Sequence, residues 1–333
     1  FMLQFIVRRI FLAIPLLLFI SLISYLVIEL PPGDYLQQYI ATFENTSGQR
    51  VAPEEIAQLK ALYGLDKPIY MRYVRWIWNI LRGDLGRSFQ HNRPVGELLA
   101  ERVPLTIIVT LVAILFSWVV AIPIGIFSAV RQYSLFDYLF TLLGFIGLAT
   151  PSFLLALVIM WIAFSRFGVS AMGLFSSQYI NAPWSWLKFV DLLKHLWLPM
   201  LIIGTSGTAW LIRIMRGNLL DELRKPYVMT ARAKGVTEGR LLLRYPVRVA
   251  VNPLISTIGW ILPELFSGST LVAVVLNLQT VGPVLLHALL SQDMYVAGSI
   301  ILILSVLTII GTLISDILLA WVDPRIRFEG GAR

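Results

Sequence analysis

Apolar residues in this chain gather into long uninterrupted blocks. They neither recur at the spacing of a soluble amphipathic helix nor alternate as in a half-buried strand. Six blocks stand out, Ile10–Leu30, Leu105–Val130, Tyr138–Phe164, Leu196–Ile214, Leu254–Leu276 and Val296–Val322, each 19 to 27 residues long. A helix crosses the hydrocarbon core in about 20 residues and satisfies its own backbone there, so the pattern predicts an all-α polytopic membrane protein with six spans. The first block follows Arg8 and Arg9 as a secretory signal would. It is long and lacks a small-residue cleavage site, so it reads as a retained span, with Met2 the natural start and Phe1 a remnant ahead of it.

Between the first two blocks lies a long polar segment, residues 31–103, expected to form a small extracytoplasmic helical subdomain. Pro53, Glu54 and Glu55 open a helix that Gly64 ends, and Pro68 opens another that Gly83 ends. In the second, Tyr70, Tyr73, Val74, Ile77 and Leu81 recur at helical spacing and predict one apolar face, packed on the other helix or on the membrane surface. Asn92 to Val103, with Pro94, Leu98, Leu99 and Val103, reads as an amphipathic helix lying at the interface. Trp184, Trp186 and Trp197 read as interfacial anchors. Proline and glycine inside the blocks, among them Pro123, Pro151, Pro199, Gly204 and Gly207, predict kinks and close helix crossings rather than chemistry.

Composition agrees: 57% of residues are hydrophobic and 14% charged, against about a quarter charged in soluble domains. The net charge of +8 does not point to nucleic acid, because its distribution explains it. Arg8, Arg9, Arg131, nine basic residues from Arg213 to Arg248, and Arg325, Arg327 and Arg333 share one side of a six-span topology. On the other, outside the long segment 31–103, whose length exempts it from the rule, stand only Arg166, Lys188 and Lys194, which makes both termini cytoplasmic. There is no cysteine for a disulfide or thiolate site, and the three histidines, His91, His195 and His287, are scattered, so no metal site is expected.

The most informative polar stretch is the cytoplasmic loop 215–250. Pro226 can start a helix, Tyr227 to Lys234 are good helix formers, and Gly235 can end it in a left-handed cap. A short rod held at both ends by spans can dock on a partner and pass its movement into the bilayer. The plainer reading is a basic loop that only sets topology or touches anionic lipid. The capped helix, with small Ala231 and Ala233 between charges, favours docking.

Here the chain resembles the inner-membrane permeases of dipeptide, oligopeptide and nickel ATP-binding-cassette importers. Tyr227-Val-Met-Thr-Ala-Arg-Ala-Lys-Gly235 is similar to their ATPase-docking loop. Leu30-Pro-Pro-Gly-Asp34, Tyr63-Gly-Leu-Asp-Lys-Pro68, Gly83-Asp-Leu-Gly-Arg-Ser88, Thr150-Pro-Ser-Phe153 and Asp323-Pro-Arg-Ile-Arg327 resemble family signatures in the right order. The resemblance implies a type I importer permease in a bacterial or archaeal plasma membrane. It divides the chain into a first span (1–30), the external subdomain (31–103), a five-helix core (104–322) and a cytoplasmic tail (323–333). Tyr227, Val228, Thr230, Ala231, Arg232, Ala233, Lys234 and Gly235 would form the coupling helix. Implied partners are a second homologous permease, two ATPase subunits holding ATP and Mg, and an extracytoplasmic binding protein; this chain binds no cofactor itself. Met229 and Thr230 depart from the general docking motif. Leu276-Asn-Leu-Gln-Thr-Val-Gly282 keeps only the glycine of a turn common among relatives, leaving the cargo open between peptides, oligosaccharides and nickel.

Two other classes compete. An ion-coupled secondary transporter would use carboxylates within the membrane, and Glu264 and Asp316 fall inside spans. With Ser267, Ser269, Asn277 and Gln279, Glu264 is a candidate pathway residue. An intramembrane hydrolase would need a nucleophile such as Ser206 with an oriented histidine, and no such pattern is present. No Gly-Lys dipeptide occurs, so the chain carries no P-loop of the usual form, and ATP hydrolysis is expected in separate subunits.

Overall fold

The computed structural model describes residues 2–29, 36, 40, 44, 52–63, 66–168 and 172–322. Among them the secondary structure is helical throughout: α1 (Met2–Glu29), α2 (Pro53–Tyr63), α3 (Ile69–Leu81), α4 (Val95–Val130), α5 (Leu135–Ala149), α6 (Ser152–Phe167), α7 (Trp186–Leu223), α8 (Pro226–Ala233), α9 (Glu238–Arg244), α10 (Pro246–Ala250), α11 (Asn252–Val275), α12 (Val281–Leu290) and α13 (Met294–Val322). Helices α1, α4 and α13 contain stretches long and apolar enough to cross a membrane, and two bent pairs bring the number to as many as five. The remaining expected span, Leu254–Leu276, coincides with the 24-residue α11. Gly64 and the motifs Leu30–Asp34 and Asp323–Arg327 lie outside the described residues.

The structure redraws several expected elements. Tyr138–Phe164 is two helices, α5 and α6, meeting at 102°. Pro151 cannot donate to the carbonyl four residues back, and the preceding Thr150 takes an extended conformation, so the helix breaks there. Leu196–Ile214 sits within the longer α7, whose halves Trp186–Thr205 and Gly207–Leu223 are inclined by 50°. At that bend the Gly204 carbonyl accepts hydroxyl hydrogen bonds from Ser117 and Thr208, each 2.7 Å, the kind of competing contact that bends helices. Residues 92–103 do not form a separate surface helix. From Val95 onward they are the first turns of α4, and Val95, Leu98 and Leu99 are buried in protein.

The chain divides into two compact units, Phe1–Leu105 with Thr280–Leu307, and Thr106–Gln279 with Thr308–Arg333. In the first, Trp76 of α3 is 2% exposed and packs among Tyr25, Leu99 and Ile300. A Cβ on Gly298 would stand 2.7 Å from Trp76 Cζ2, so only glycine admits the indole at that depth. The expected apolar face of α3 is therefore divided. Tyr73 and Ile77 turn inward with Trp76 and Ile80, while Tyr70, Val74 and Leu81 are exposed. The sequence pattern missed Trp76 as the centre because α3 carries more apolar surface than one contact can cover.

The signature Gly83–Ser88 folds as a clasp in the same unit. Gly83 and Gly86 take φ of 84° and 83°, and Asp84 Oδ1 accepts from the Gly86 amide at 2.9 Å. Ser88 Oγ then donates to the buried Asp293 carboxylate at 2.6 Å, as does the Gln90 amide at 3.1 Å. Asp293 follows α12, which ends on Gln292 in the left-handed region at φ 54°.

In the second unit α4 and α7 cross closely at two glycines. A Cβ on Gly125 would meet Met215 Cγ at 2.8 Å, and one on Gly204 would meet Phe116 Cδ1 at 2.5 Å. Gly204 and Gly207 thus serve helix packing, as their place inside an apolar block predicts; the Ser206 side chain lies outside the described residues.

Candidate functional site

The cytoplasmic loop builds a small helical module. Pro226 occupies the first turn of α8, where its missing N–H costs nothing. At the other end Gly235 takes φ 77°, its amide donates to Arg232 O at 3.0 Å, and the Val236 amide donates to Ala231 O at 3.3 Å. This paired closure is a Schellman cap, and Val236 completes it by packing on the helix it terminates. Val228 and Ala231 are buried against Leu241 of α9. Tyr227, Met229, Thr230, Arg232, Ala233, Lys234 and Gly235 face outward. The expected docking set is thus divided by the helix itself: two residues pin the rod and the rest present a surface.

Short polar links fasten the rod at its edges. The Tyr227 hydroxyl donates to Glu222 Oε2 at 2.5 Å, and burial followed by that hydrogen bond raises the phenol above its ordinary value. Arg232 makes a two-pronged contact with Glu238, with Nη2 3.1 Å from Oε2, and both side chains are exposed. After α9, Pro246, Val247 and Ala250 of α10 are buried, and Val247 and Ala250 pack with Met215 and Leu219 of α7 and Leu254 of α11. The Asn218 amide donates to Ala250 O at 3.3 Å. The module is anchored at one end by α7, from which the chain arrives, and at the other by α10 and α11, through which it leaves.

Sequence reasoning overlooked one further anchor. Arg216 on α7 donates from Nε and Nη2 to the two oxygens of Asp137 on α5, both at 3.0 Å. The Asp137 side chain is 3% exposed, and its Oδ2 also accepts from the Tyr133 amide at 2.9 Å. Ser134 caps α5 by accepting from the Asp137 amide at 3.2 Å. The fork ties the segment of α7 that leads into the rod to the helix that ends at the 102° break. Arg216 was indistinguishable in sequence from the other basic residues of the loop; the available signal was Ser134 three residues before an acidic residue, a helix start with a charge left to satisfy.

Of the candidate pathway residues, Asn277 and Gln279 lie together at the end of α11 beside Gly173. Asn277 caps α11 from the left-handed region, φ 52°, with the Leu278 amide donating to Ala273 O at 2.8 Å. Gln279 Oε1 accepts from the Leu174 amide at 3.2 Å, beside a Gly173 amide that donates to Leu276 O at 2.7 Å. Both hold the end of α11 to the segment before α7. Ser269 is partly buried, and the side chains of Glu264 and Ser267 lie outside the described residues. Among the described residues no group of three histidine or carboxylate side chains is placed to hold a metal ion.

Comparison with known families decides what kind of module this is. Residues 121–328 match the binding-protein-dependent transport system inner membrane component, and residues 2–110 match the N-terminal component of such systems. The chain belongs to this family. The oligopeptide transport system permease protein AppB of Bacillus subtilis is 33% identical over 328 residues, covering 98% of this chain and 100% of that protein. The dipeptide transport system permease protein DppB of Escherichia coli K12 is 30% identical over 345 residues, with 98% and 100% covered. The peptidoglycan transport system permease protein YejB of Agrobacterium fabrum is 30% identical over 358 residues, with 98% of each covered. This permease is accordingly a multi-pass inner-membrane transport subunit of an importer that works with a binding protein.

Proposed function

We propose that this permease forms half of the transmembrane pathway for di- and oligopeptides, with α8 as the element through which partner ATPases drive it. The observation that carries the reading is the rod itself, its outward face free of apolar packing among the described residues and its ends fixed to α7, α10 and α11. Closure of two ATPase subunits on ATP would push Tyr227–Gly235, and α7 would carry the displacement through Arg216 to α5. A second homologous permease would complete the pathway, six spans would place both termini in the cytoplasm, and residues 31–103 would face the binding protein's side. Glu264, Ser267, Ser269, Asn277 and Gln279 remain the candidate pathway residues of this chain. The peptide cargo is supported by the names of the relatives above.

The Agrobacterium relative, named for peptidoglycan, favours a second cargo in which peptide is joined to sugar. Mass spectrometry of the solute retained by the purified cognate binding protein separates the two. For the mechanism, the importer is reconstituted with all its subunits and Gly235→Trp is introduced. A Cβ at Gly235 meets nothing within 4 Å but is strained at φ 77°, so Gly235→Ala serves as the backbone control and the further effect of the indole reports on what docks there. Uptake should fall while the ATPases lose their stimulation by loaded binding protein. Unchanged uptake, or transport driven by a proton gradient without ATP, would overturn the proposal.

A further inference from the structure

Helix α3 has apolar surface on about two thirds of its circumference at 100° per residue, and protein covers only half of that. Trp76, Tyr73 and Ile80 are taken up by the first unit's core. The adjoining arc is bare: Tyr70 is 65% exposed, Val74 63% and Leu81 74%. The remaining arc carries Arg72, Arg75, Asn79 and Arg82.

Contacts with two membrane-crossing helices fix the depth of α3. Arg72 Nη2 lies 2.5 Å from Glu29 Oε1, at the end of the apolar stretch Phe11–Glu29 of α1. The Tyr73 hydroxyl hydrogen-bonds Ser21 Oγ at 2.9 Å. Ser21 stands about 12 Å inside the end of that span, from a helical rise of about 1.5 Å per residue. Trp76 sits between Tyr25, with ring centroids 5.9 Å apart, and Gly298 of α13. Each of those positions is four residues, about 6 Å, inside the end of its own span. One leaflet's share of the hydrocarbon core is about 15 Å thick.

We infer that α3 lies embedded in one leaflet of the bilayer, with Tyr70, Val74 and Leu81 against acyl chains and Arg75 and Arg82 at the headgroup phosphates. The geometry leaves one orientation. Arg72 marks the side toward the span ends and Tyr73 the deeper side toward the protein. The bare arc, opposite Arg72 and beyond Tyr73, therefore points down and outward, and Leu22 and Leu26 at the same depth of α1 are exposed as well. Arg82 lies over the Trp78 ring at 4.9 Å from its centroid, an aromatic and cationic pair suited to the interface. The positive-inside orientation makes this the outer leaflet, and only the name of the leaflet rests on it.

The chain has no cysteine, so single-cysteine variants report cleanly. Val74→Cys, Leu81→Cys and Arg75→Cys are spin-labelled in the full importer, reconstituted in phosphatidylethanolamine–phosphatidylglycerol vesicles, and each is checked for retained uptake. Collision rates are measured with oxygen, which concentrates in lipid, and with a water-soluble nickel chelate. The oxygen-to-chelate ratio should be high at positions 74 and 81 and reversed at 75. A ratio at 74 and 81 as low as at 75 would put the arc in water, and low collision with both reagents would put a partner subunit over it. Either result overturns the inference.

Discussion

Two arginine–carboxylate forks flank the path from the short helix α8 into the membrane core, alike in geometry and unlike in burial. Arg216 grips Asp137 with both contacts at 3.0 Å and the carboxylate 3% exposed, whereas Arg232 and Glu238 are 53% and 67% exposed. In the exposed pair water competes for every donor, and side-chain entropy opposes the contact. In the buried pair neither water nor another cation can replace a lost partner. The same guanidinium–carboxylate pairing thus makes a structural rivet in one place and a loose surface contact in the other. A fork's worth must be read from its surroundings.

The largest effect should come from unseating the rivet. Arg216→Met leaves the Asp137 carboxylate buried and uncompensated, at a cost of about 3–5 kcal/mol. Thermal unfolding of the purified permease should register it as a marked drop. The double replacement Asp137→Leu with Arg216→Leu should recover much of that loss; if it does not, the fork adds more than mutual neutralisation. Next comes Leu241→Ala. It removes the side chain on which Val228 and Ala231 rest, costing about 2–4 kcal/mol of local packing, and should impair ATP-driven uptake more than loss of Arg232 does.

Gly235→Ala isolates backbone from bulk. At φ 77° a Cβ costs about 1–2 kcal/mol, and a modest fall in unfolding temperature with assembly intact is expected. Last is Glu238→Gln, which should leave the unfolding temperature unchanged. The hydrogen bond from Arg232 holds the Glu238 carboxyl below its ordinary value of 4.5. Its contribution is therefore fully present above that value and fades only as pH falls through the lower folded one. A pH titration between neutrality and mild acid should show no transition from this pair, and one that vanished with Glu238→Gln would erase the contrast between the forks.

The membrane helices were legible because lipid imposes one demand over twenty residues at a time. The short helix α8 was legible because Pro226 and Gly235 punctuate it. What escaped is non-local. Asp137 and Arg216 are separated by 79 residues and Ser88 and Asp293 by 205, and no local pattern pairs them. Gly83–Ser88 could be matched as a family signature without the reason for it, the carboxylate its hydroxyl seeks. Pro151 announced a kink but not a 102° turn, since its angle depends on what α5 and α6 pack against. The divided face of α3 was hidden because a periodicity count sums apolar positions without asking how many neighbours share them.

Asn277 and Gln292 close helix ends in a backbone region that glycine enters freely, at φ 52° and 54°. Neither terminus carries the residue that suits that backbone best, so the chain keeps unspent tolerance at two helix ends. Lineages living at higher temperature could claim it by a single replacement at Gln292, since Asn277 is also a candidate pathway residue.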